Sequence, residues 1–134
     1  MAADAQVIRR AWDASHVEAL MPSVLASPWP LEGARDVLQG ALLYEFSQGR
    51  SHALLAVRPV PLAGGLRLDV VGLVSDGERL QGAAIDAAAV QVARSLGCQA
   101  LAMCTVSAHV EKVCARTGWE RTGVVMQKRV GHVQ

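Results

Sequence analysis

Six residues near the middle of the chain have the types and spacing of a phosphate-binding turn. In the stretch Arg79-x-x-Gly82-x-Ala84, a basic residue precedes a glycine and an alanine at the start of an Ala-rich helix. The N–H groups of a first helical turn have no partners within the helix, and the helix dipole adds partial positive charge beside them. A phosphate or diphosphate suits such a position. The same residues are also compatible with an ordinary helix start.

The sequence on both sides of this turn predicts the elements that would position it. Residues 66–74 are almost all apolar or β-branched and predict a strand, and apolar residues at helical spacing predict a helix that ends near Leu96. Ala100 to Val106 again has the composition of a strand. A strand, a helix and a second strand in this order predict a right-handed parallel crossover.

The chain before this unit begins with a predicted strand and two predicted helices. Gln6 to Trp12 alternates well enough for a strand. A capping box at Ser15-x-x-Glu18 is expected to open the first helix, and residues 31–38 are expected to form a second, short one.

Two further strands are expected between these helices and the central unit. They cover residues 41–46 and 53–57, and Pro59 and Pro61 are expected to end the second of them. Short glycine-containing turns join these strands to the central one, which predicts an antiparallel meander.

After the central unit the sequence predicts one helix and a closing strand. Ser107 is a suitable N-cap for the helix, Gly118 is suitable for its end, and Trp119 to Val130 is expected to form the strand. The predicted order is β-α-α-β-β-β-α-β-α-β. We therefore expect one α/β (α+β) domain over residues 1–134, with a mixed, mostly antiparallel sheet and helices on both of its faces.

Composition and charge exclude several classes of protein. Thirteen basic and twelve acidic residues give a net charge of +1 without a basic block, so neither nucleic acid nor a membrane surface is an expected partner. No apolar stretch reaches the roughly 18 residues of a membrane span. Cys98, Cys104 and Cys114 are an odd number of cysteines, which favours a reduced, cytoplasmic setting, and their spacing matches no zinc pattern.

The central turn resembles the acyl-CoA-binding motif of the GNAT superfamily, the Gcn5-related N-acetyltransferases. The Arg-x-x-Gly-x-Ala of residues 79–84 matches the family pattern Arg/Gln-x-x-Gly-x-Gly/Ala, and the Arg-Thr-Gly-Trp of residues 116–119 is similar to its closing Lys-x-Gly-Phe. Relatives usually end in a hairpin of two strands, whereas this chain has room for little more than one. The resemblance implies a GNAT fold with acetyl-CoA, or another acyl-CoA, as the cofactor.

The resemblance also implies which residues would hold that cofactor. The diphosphate would lie on the backbone of Arg79, Leu80, Gln81, Gly82, Ala83 and Ala84. The strands before and after the central helix would part, and Leu73 and Val74 would bond the pantetheine arm there through their backbone. One of their N–H groups would polarise the thioester carbonyl. Ser107 stands where the family often has an asparagine, although a role as helix N-cap explains it better, and it could have both roles.

The proton donor implied by the resemblance is Cys114. It stands where active relatives have a tyrosine that protonates the leaving thiolate. A thiol with a pKa of about 8.5 can donate a proton to a thiolate of similar basicity. A cysteine on the inner side of a helix is, alternatively, an ordinary small apolar residue.

The candidate base is a carboxylate on a strand, either Asp69 or Glu45. Asp69 is preferred because it lies on the strand that would meet the cofactor, and its alternative role is an ion pair with Arg67. Its side chain is expected on the same face as Leu73 and not Val74, unless a bulge lies between them.

Three functions are compatible with these residues. The first is an N-acetyltransferase that moves an acetyl group directly from acetyl-CoA to an amine of a small molecule or peptide. The second is a GNAT-like protein without catalysis, such as a bacteriophage virion component, since short-tailed phages encode proteins of about this length. The third is another α/β nucleotide-binding domain. A shortened closing hairpin would also leave a sheet edge that a second copy of the chain could cover.

Overall fold

The computed structural model of the chain describes residues 5–28, 31–76 and 82–131. In chain order, the elements are β1 (Gln6–Arg10), α1 (Ala14–Leu25), α2 (Ala34–Leu38), β2 (Leu42–Gln48), β3 (Ser51–Leu62), β4 (Gly65–Asp76), α3 (Gly82–Ser95), β5 (Ala100–Ala102) and α4 (Ala108–Arg116). The strands form one sheet in the order β1-β2-β3-β4-β5. Neighbours are antiparallel except β4 and β5, which are parallel. This arrangement confirms the predicted mixed, mostly antiparallel sheet.

Helices pack on both faces of this sheet, as predicted. Leu43 and Tyr44 are buried neighbours in β2 that belong to different apolar clusters. The cluster around Leu43 contains Leu20 of α1 and Leu38 of α2. The cluster around Tyr44 contains Val92 of α3. Because successive strand residues point to opposite faces, α1 and α2 cover one face of the sheet and α3 covers the other.

A bulge interrupts β4 in its middle. Val57 of β3 pairs with Val70. The preceding residue of β3, Ala56, pairs with Gly72. Val71 is therefore an extra residue in β4, and such a residue changes the face to which the following side chains point.

The bulge decides which side chains of β4 share a face. Asp69 lies between Leu68 and Val70, whose side chains pack in the cluster with α3, so Asp69 points to the face of α1 and α2. Beyond the bulge, Leu73 packs in the α3 cluster and Val74 in the cluster of α1 and α2. Asp69 consequently shares its face with Val74 and not with Leu73, the arrangement expected for a strand with a bulge.

β4 and β5 part soon after they meet. Their pairs are Arg67–Ala100, Leu68–Leu101 and Asp69–Ala102. β4 then continues to Asp76, whereas residues 103–107 form no strand, so β5 is shorter than the predicted Ala100 to Val106. Residues 70–76 of β4 therefore have no paired neighbour on the β5 side within the described part of the chain.

The prediction that Pro59 and Pro61 end β3 is wrong, because β3 continues through both to Leu62. β2 pairs with β3 only as far as Val57. Beyond that point the described residues give β3 a strand neighbour only in β4. Proline lacks an N–H, and a strand tolerates it where that side has no neighbour to bond. The two prolines therefore mark an edge of the sheet and not the end of a strand.

The prediction that Ser15-x-x-Glu18 caps α1 is also wrong, because the N-cap is Asp13. The carboxylate of Asp13 accepts from the N–H of His16 at 3.1 Å, and Nδ1 of His16 accepts from the N–H of Asp13 at 3.2 Å. This reciprocal pair is a capping box in which a histidine nitrogen, in place of the usual Glu or Gln side chain, accepts the hydrogen bond from the N-cap N–H. Ser15 instead donates its hydroxyl proton to Asp13.

The predicted closing strand from Trp119 to Val130 does not form. Residues 119–131 contain neither helix nor strand. Val124, Met126 and Val130 are 70%, 88% and 85% exposed. A strand needs the N–H and C=O groups of a neighbour, and the short β5 provides few of them. None of the described helices is long and apolar enough to cross a membrane.

Candidate functional site

The first turn of α3 presents small, neutral residues. The helix begins at Gly82, followed by Ala83 and Ala84, and this described turn contains no acidic side chain. Ala83 is exposed, whereas Ala84 packs against the apolar cluster of Phe46 and Ala53. The N–H groups of a first helical turn lack partners within the helix and suit an anion. Three of the predicted diphosphate residues, Arg79, Leu80 and Gln81, lie outside the described residues.

Gly82 has a reason within the protein for lacking a side chain. A Cβ atom at this position would collide with Cγ1 of Val113 on α4. The glycine therefore lets α4 approach the start of α3 closely. Its predicted role beside a ligand stays a prediction, because this contact already explains the glycine.

Leu73 and Val74 lie on the part of β4 that has no β5 neighbour. The N–H of Leu73 donates to Oγ of Ser23 on α1, at 3.1 Å. Ser23 was not among the residues predicted from the sequence. The available signal was its position, since it is a polar residue between the buried Leu20 and Val24 of the same helix.

Cys114 lies on α4, in a cleft of about 760 Å³ whose walls include Met103 to Val106 and residues 119–125. Burial raises the pKa of the Cys114 thiol, and the negative charge of Asp86 raises it further. The thiol therefore keeps its proton at neutral pH and is a weaker acid than an exposed one. None of the described residues that line this cleft belongs to β4, the strand of the predicted backbone donors Leu73 and Val74.

Asp69 is bonded to Arg67 through both of its carboxylate oxygens. Nε of Arg67 lies 2.6 Å from one oxygen, and an Nη donates to the other at 3.1 Å. Hydrogen bonding to Asp69, followed by the negative charge of Asp69, raises the pKa of the Arg67 guanidinium. Asp69 is paired with Ala102 and lies five residues, roughly 16 Å of extended chain, before Val74. It therefore takes the predicted alternative role of ion-pair partner in this structure.

Glu45, the second strand carboxylate, lies across the sheet from Val74. Glu45 pairs with Leu54, and Leu54 pairs with Val74, so the three side chains form one row. With His16 and His52 they border a second cleft, of about 590 Å³, on the face of α1. Oε2 of Glu45 also lies 3.5 Å from Nε of Arg10, and the two side chains form an ion pair. This cleft opens beside Val74, a predicted cofactor residue.

Ser107 is the N-cap of α4, as predicted. Its hydroxyl accepts from the N–H of Val110 at 3.3 Å, and its own N–H donates to the hydroxyl of Thr105 at 3.1 Å. The end of α4 is fixed differently. Gly118 has a φ of +90°, which suits glycine, and Trp119 donates from Nε1 to Asp86 of α3 at 2.7 Å.

A metal site is not apparent in the described residues. Within 5–28, 31–76 and 82–131, no three His, Cys, Asp or Glu side chains lie close enough together to hold an ion.

No family model and no curated protein sequence matches this chain. Solved structures do match it over nearly its whole length. An acetyltransferase of Trypanosoma brucei has 17% identity and a TM-score of 0.56, covering 95% of this chain and 100% of its own. The enzyme AAC(6')-Iy, solved with the bisubstrate analogue CoA-S-monomethyl-acetylneamine, has 20% identity and a TM-score of 0.52, covering 96% and 99%. Glucosamine-6-phosphate N-acetyltransferase of Arabidopsis thaliana has 10% identity and a TM-score of 0.50, covering 94% and 99%.

This chain has the GNAT fold. The three proteins above share its arrangement of sheet and helices, while their identities of 20% or less extend to the fold alone. In this GNAT-fold chain the two strands that part are β4 and β5, and the helix that follows β4 is α3.

Proposed function

We propose that this domain binds acetyl-CoA, or another acyl-CoA. The diphosphate would lie at the first turn of α3, on the residues from Arg79 to Ala84. The pantetheine arm would run along residues 70–76 of β4, with bonds to the backbone of Leu73 and Val74. The observation that supports this proposal is the parting of β4 from β5 after the pair Asp69–Ala102. That gap leaves residues 70–76 of β4 without a described strand neighbour on one side, where an extended arm could bond their backbone.

The proposed reaction is direct transfer of the acetyl group to an amine of a small molecule or peptide. The neutral amine nitrogen forms a bond to the thioester carbonyl carbon, and the carbon–sulfur bond breaks. The nitrogen loses a proton to a base, and the CoA thiolate gains one. A backbone N–H of β4 would stabilise the charge on the carbonyl oxygen. The solved acetyltransferases of the same fold support this reaction class.

The candidate acid is Cys114, and the candidate base is a carboxylate on a strand. For Cys114 as the acid, its raised pKa keeps the proton in place but makes donation to a thiolate less favourable. For Asp69 as the base, both oxygens already accept from Arg67. Glu45, which shares a cleft with Val74, is the alternative strand carboxylate.

The second candidate function is acyl-CoA binding without catalysis. It is favoured by the Cys114 cleft, whose described lining includes no residue of β4, and by the ion pair of Asp69. None of the solved proteins described above is a virion protein, so a role in a phage particle gains no support from them. Release of CoA thiol, measured with acetyl-CoA and a panel of amines, distinguishes the two functions. Binding without any thiol release would favour the silent protein.

The binding proposal is tested by a charge placed at the first turn of α3. Ala83→Glu should weaken acetyl-CoA binding on the order of tenfold, because a carboxylate there repels the diphosphate. The fold should be unaffected, since Ala83 is exposed and an acidic residue suits a helix N-terminus. Gln91→Glu is the matched control: it adds the same charge to an exposed position of the same helix, away from that turn.

Calorimetry measures the affinity of the native protein and of both variants for acetyl-CoA, CoA and ATP. The proposal requires that both CoA ligands bind, and that Ala83→Glu, but not Gln91→Glu, binds them more weakly. Equal binding by the two variants would contradict the diphosphate position. Preference for ATP over acetyl-CoA would indicate a different nucleotide-binding function. Gly82→Val is a poorer test, because its side chain would also displace Val113.

We further propose that a second copy of the chain covers the β5 edge. β5 ends the sheet, and the exposed apolar residues Val124, Met126 and Val130 follow in the same chain. An unpaired edge with apolar side chains nearby favours strand addition. Light scattering should give twice the mass of one chain, and a monomer at all concentrations would contradict this.

A further inference from the structure

The N–H of Leu73 lies on the stretch of β4 that β5 does not cover. Paired strand residues satisfy their N–H groups with a neighbouring strand, but β4 pairs with β5 only as far as Asp69. The N–H of Leu73 donates instead to the hydroxyl of Ser23, at 3.1 Å. A side chain from α1 therefore occupies a backbone donor next to the gap.

α1 holds Ser23 firmly in this position. Leu20 is fully buried and Val24 is 3% exposed, so the residues on both sides of Ser23 anchor the helix to the sheet. At Gly72, beside Leu73, a Cβ atom would lie 3.3 Å from Cδ2 of Leu20. The glycine thus allows α1 to approach β4 at the place where Ser23 meets it. The contact between Ser23 and Leu73 is consequently part of the packing and not a chance approach of a surface hydroxyl.

We propose that Ser23 is a positioning residue whose hydroxyl competes with the acyl carbonyl for the N–H of Leu73. This inference rests on the proposed acyl-CoA function. In the free protein the hydroxyl satisfies a half-buried donor that would otherwise lack a partner. In the acetyl-CoA complex the thioester oxygen takes that donor, and the hydroxyl turns away. Free CoA has a thiol in place of the thioester and does not displace the hydroxyl.

Ser23 therefore lowers the preference of the protein for acetyl-CoA over CoA. It acts on the one bond that differs between the two ligands, because the diphosphate and the pantetheine arm are the same in both. Once transfer has removed the acetyl group, the Ser23 hydroxyl returns to Leu73. No bond to Ser23 forms or breaks in the reaction other than this hydrogen bond.

The test is the ratio of the dissociation constants for acetyl-CoA and CoA. Ser23→Ala should lower the dissociation constant for acetyl-CoA by about twofold to tenfold, which corresponds to one net hydrogen bond. The dissociation constant for CoA should not change. Ser23→Thr keeps a hydroxyl and should keep the ratio of the native protein. Ser95→Ala is the control, since that hydroxyl donates to Val92 within α3. Its ratio should also be native.

The possible failures are distinguishable. If Ser23→Ala changes both constants equally, or leaves the ratio unchanged, Ser23 is structural and the inference is wrong. If the native protein binds neither ligand, the acyl-CoA function fails and the inference fails with it. A second measurement needs no variant: the amide resonance of Leu73 in the native protein should shift further on adding acetyl-CoA than on adding CoA, because both ligands place a pantetheine arm beside Leu73 but only acetyl-CoA takes its N–H. A shift of equal size with both ligands would also overturn the inference.

Discussion

Among the described residues, the buried side chains lie between Leu20 and Cys98, and residues 99–131 include none. β2, β3 and β4 are covered by α1 and α2 on one face and by α3 on the other. α4, in contrast, has no buried residue, and the segment after it forms no strand. The first region is a packed core, and the second joins it through the pairing of β5 with β4 and through individual side-chain contacts.

Apart from the pairing of β5 with β4, side chains of the second region contact α3 at two described places. Trp119 bonds Asp86 of α3, and Val113 fills the space beside Gly82. Regions with few buried apolar contacts open at a lower free energy than a packed core. β4 forms one side of the proposed site and belongs to the packed region. β5 and α4 form the other side, and we expect a bound ligand or a second copy of the chain to stabilise them.

The largest expected difference between the two regions is in the cost of removing apolar side chains. Leu43→Ala should lower the free energy of unfolding by about 2–5 kcal/mol, because Leu43 is 1% exposed and its loss leaves a cavity. Val124→Ala, at 70% exposure, should change it by about 0.5 kcal/mol or less. Urea denaturation measures both. A cost for Val124→Ala close to that of Leu43→Ala would mean that the second region is buried in the protein in solution.

A smaller effect is expected at the contact that joins the two regions. Trp119→Phe keeps an aromatic ring but removes the donor to Asp86, which should cost about 1 kcal/mol. Hydrogen exchange should show the loss mainly in the amides of α4, with those of β3 unchanged. Asp86→Asn keeps an acceptor and is the control. Equal loss of protection in β3 would contradict the separation of the two regions.

The smallest expected effect is a pH dependence confined to the first region. Hydrogen bonds from the Ser15 hydroxyl and the His16 N–H lower the pKa of Asp13 below its ordinary 3.8. A carboxyl whose pKa is lower in the folded state stabilises that state above its unfolded pKa, and the gain is lost as the pH falls through the folded pKa. Acid below about pH 4 should therefore weaken the cap of α1. Asp13→Asn should flatten this part of the stability curve; an unchanged curve would exclude the cap as its cause.

The sequence predicted the elements that depend on local pattern. The strand before the turn, the Ala-rich helix, the Ser107 cap and the parallel pairing of β4 with β5 are all present. Each follows from apolar periodicity or from a capping residue within a few positions. The resemblance in residues 79–84 and 116–119 added the fold, which the solved structures confirm.

The features that the sequence did not predict depend on distant neighbours. The extra residue Val71 is defined only against β3, and Pro59 is tolerated only because β2 ends short of it. The Ser23 hydroxyl meets a backbone group 50 residues away. The closing strand after Trp119 was expected from composition, but a strand depends on a partner edge that β5 does not supply. Composition contains no information on that edge.

Val113 packs directly against Gly82, although a helix and a strand lie between these two positions in the sequence. A homologous protein with alanine at position 82 would need a smaller residue than valine at position 113, so we expect these two positions to covary across related sequences. Because Gly82 begins α3 and Val113 lies on α4, a ligand that displaces the start of α3 would also displace α4. The helix that contains Cys114 would then tilt with the occupancy of the turn.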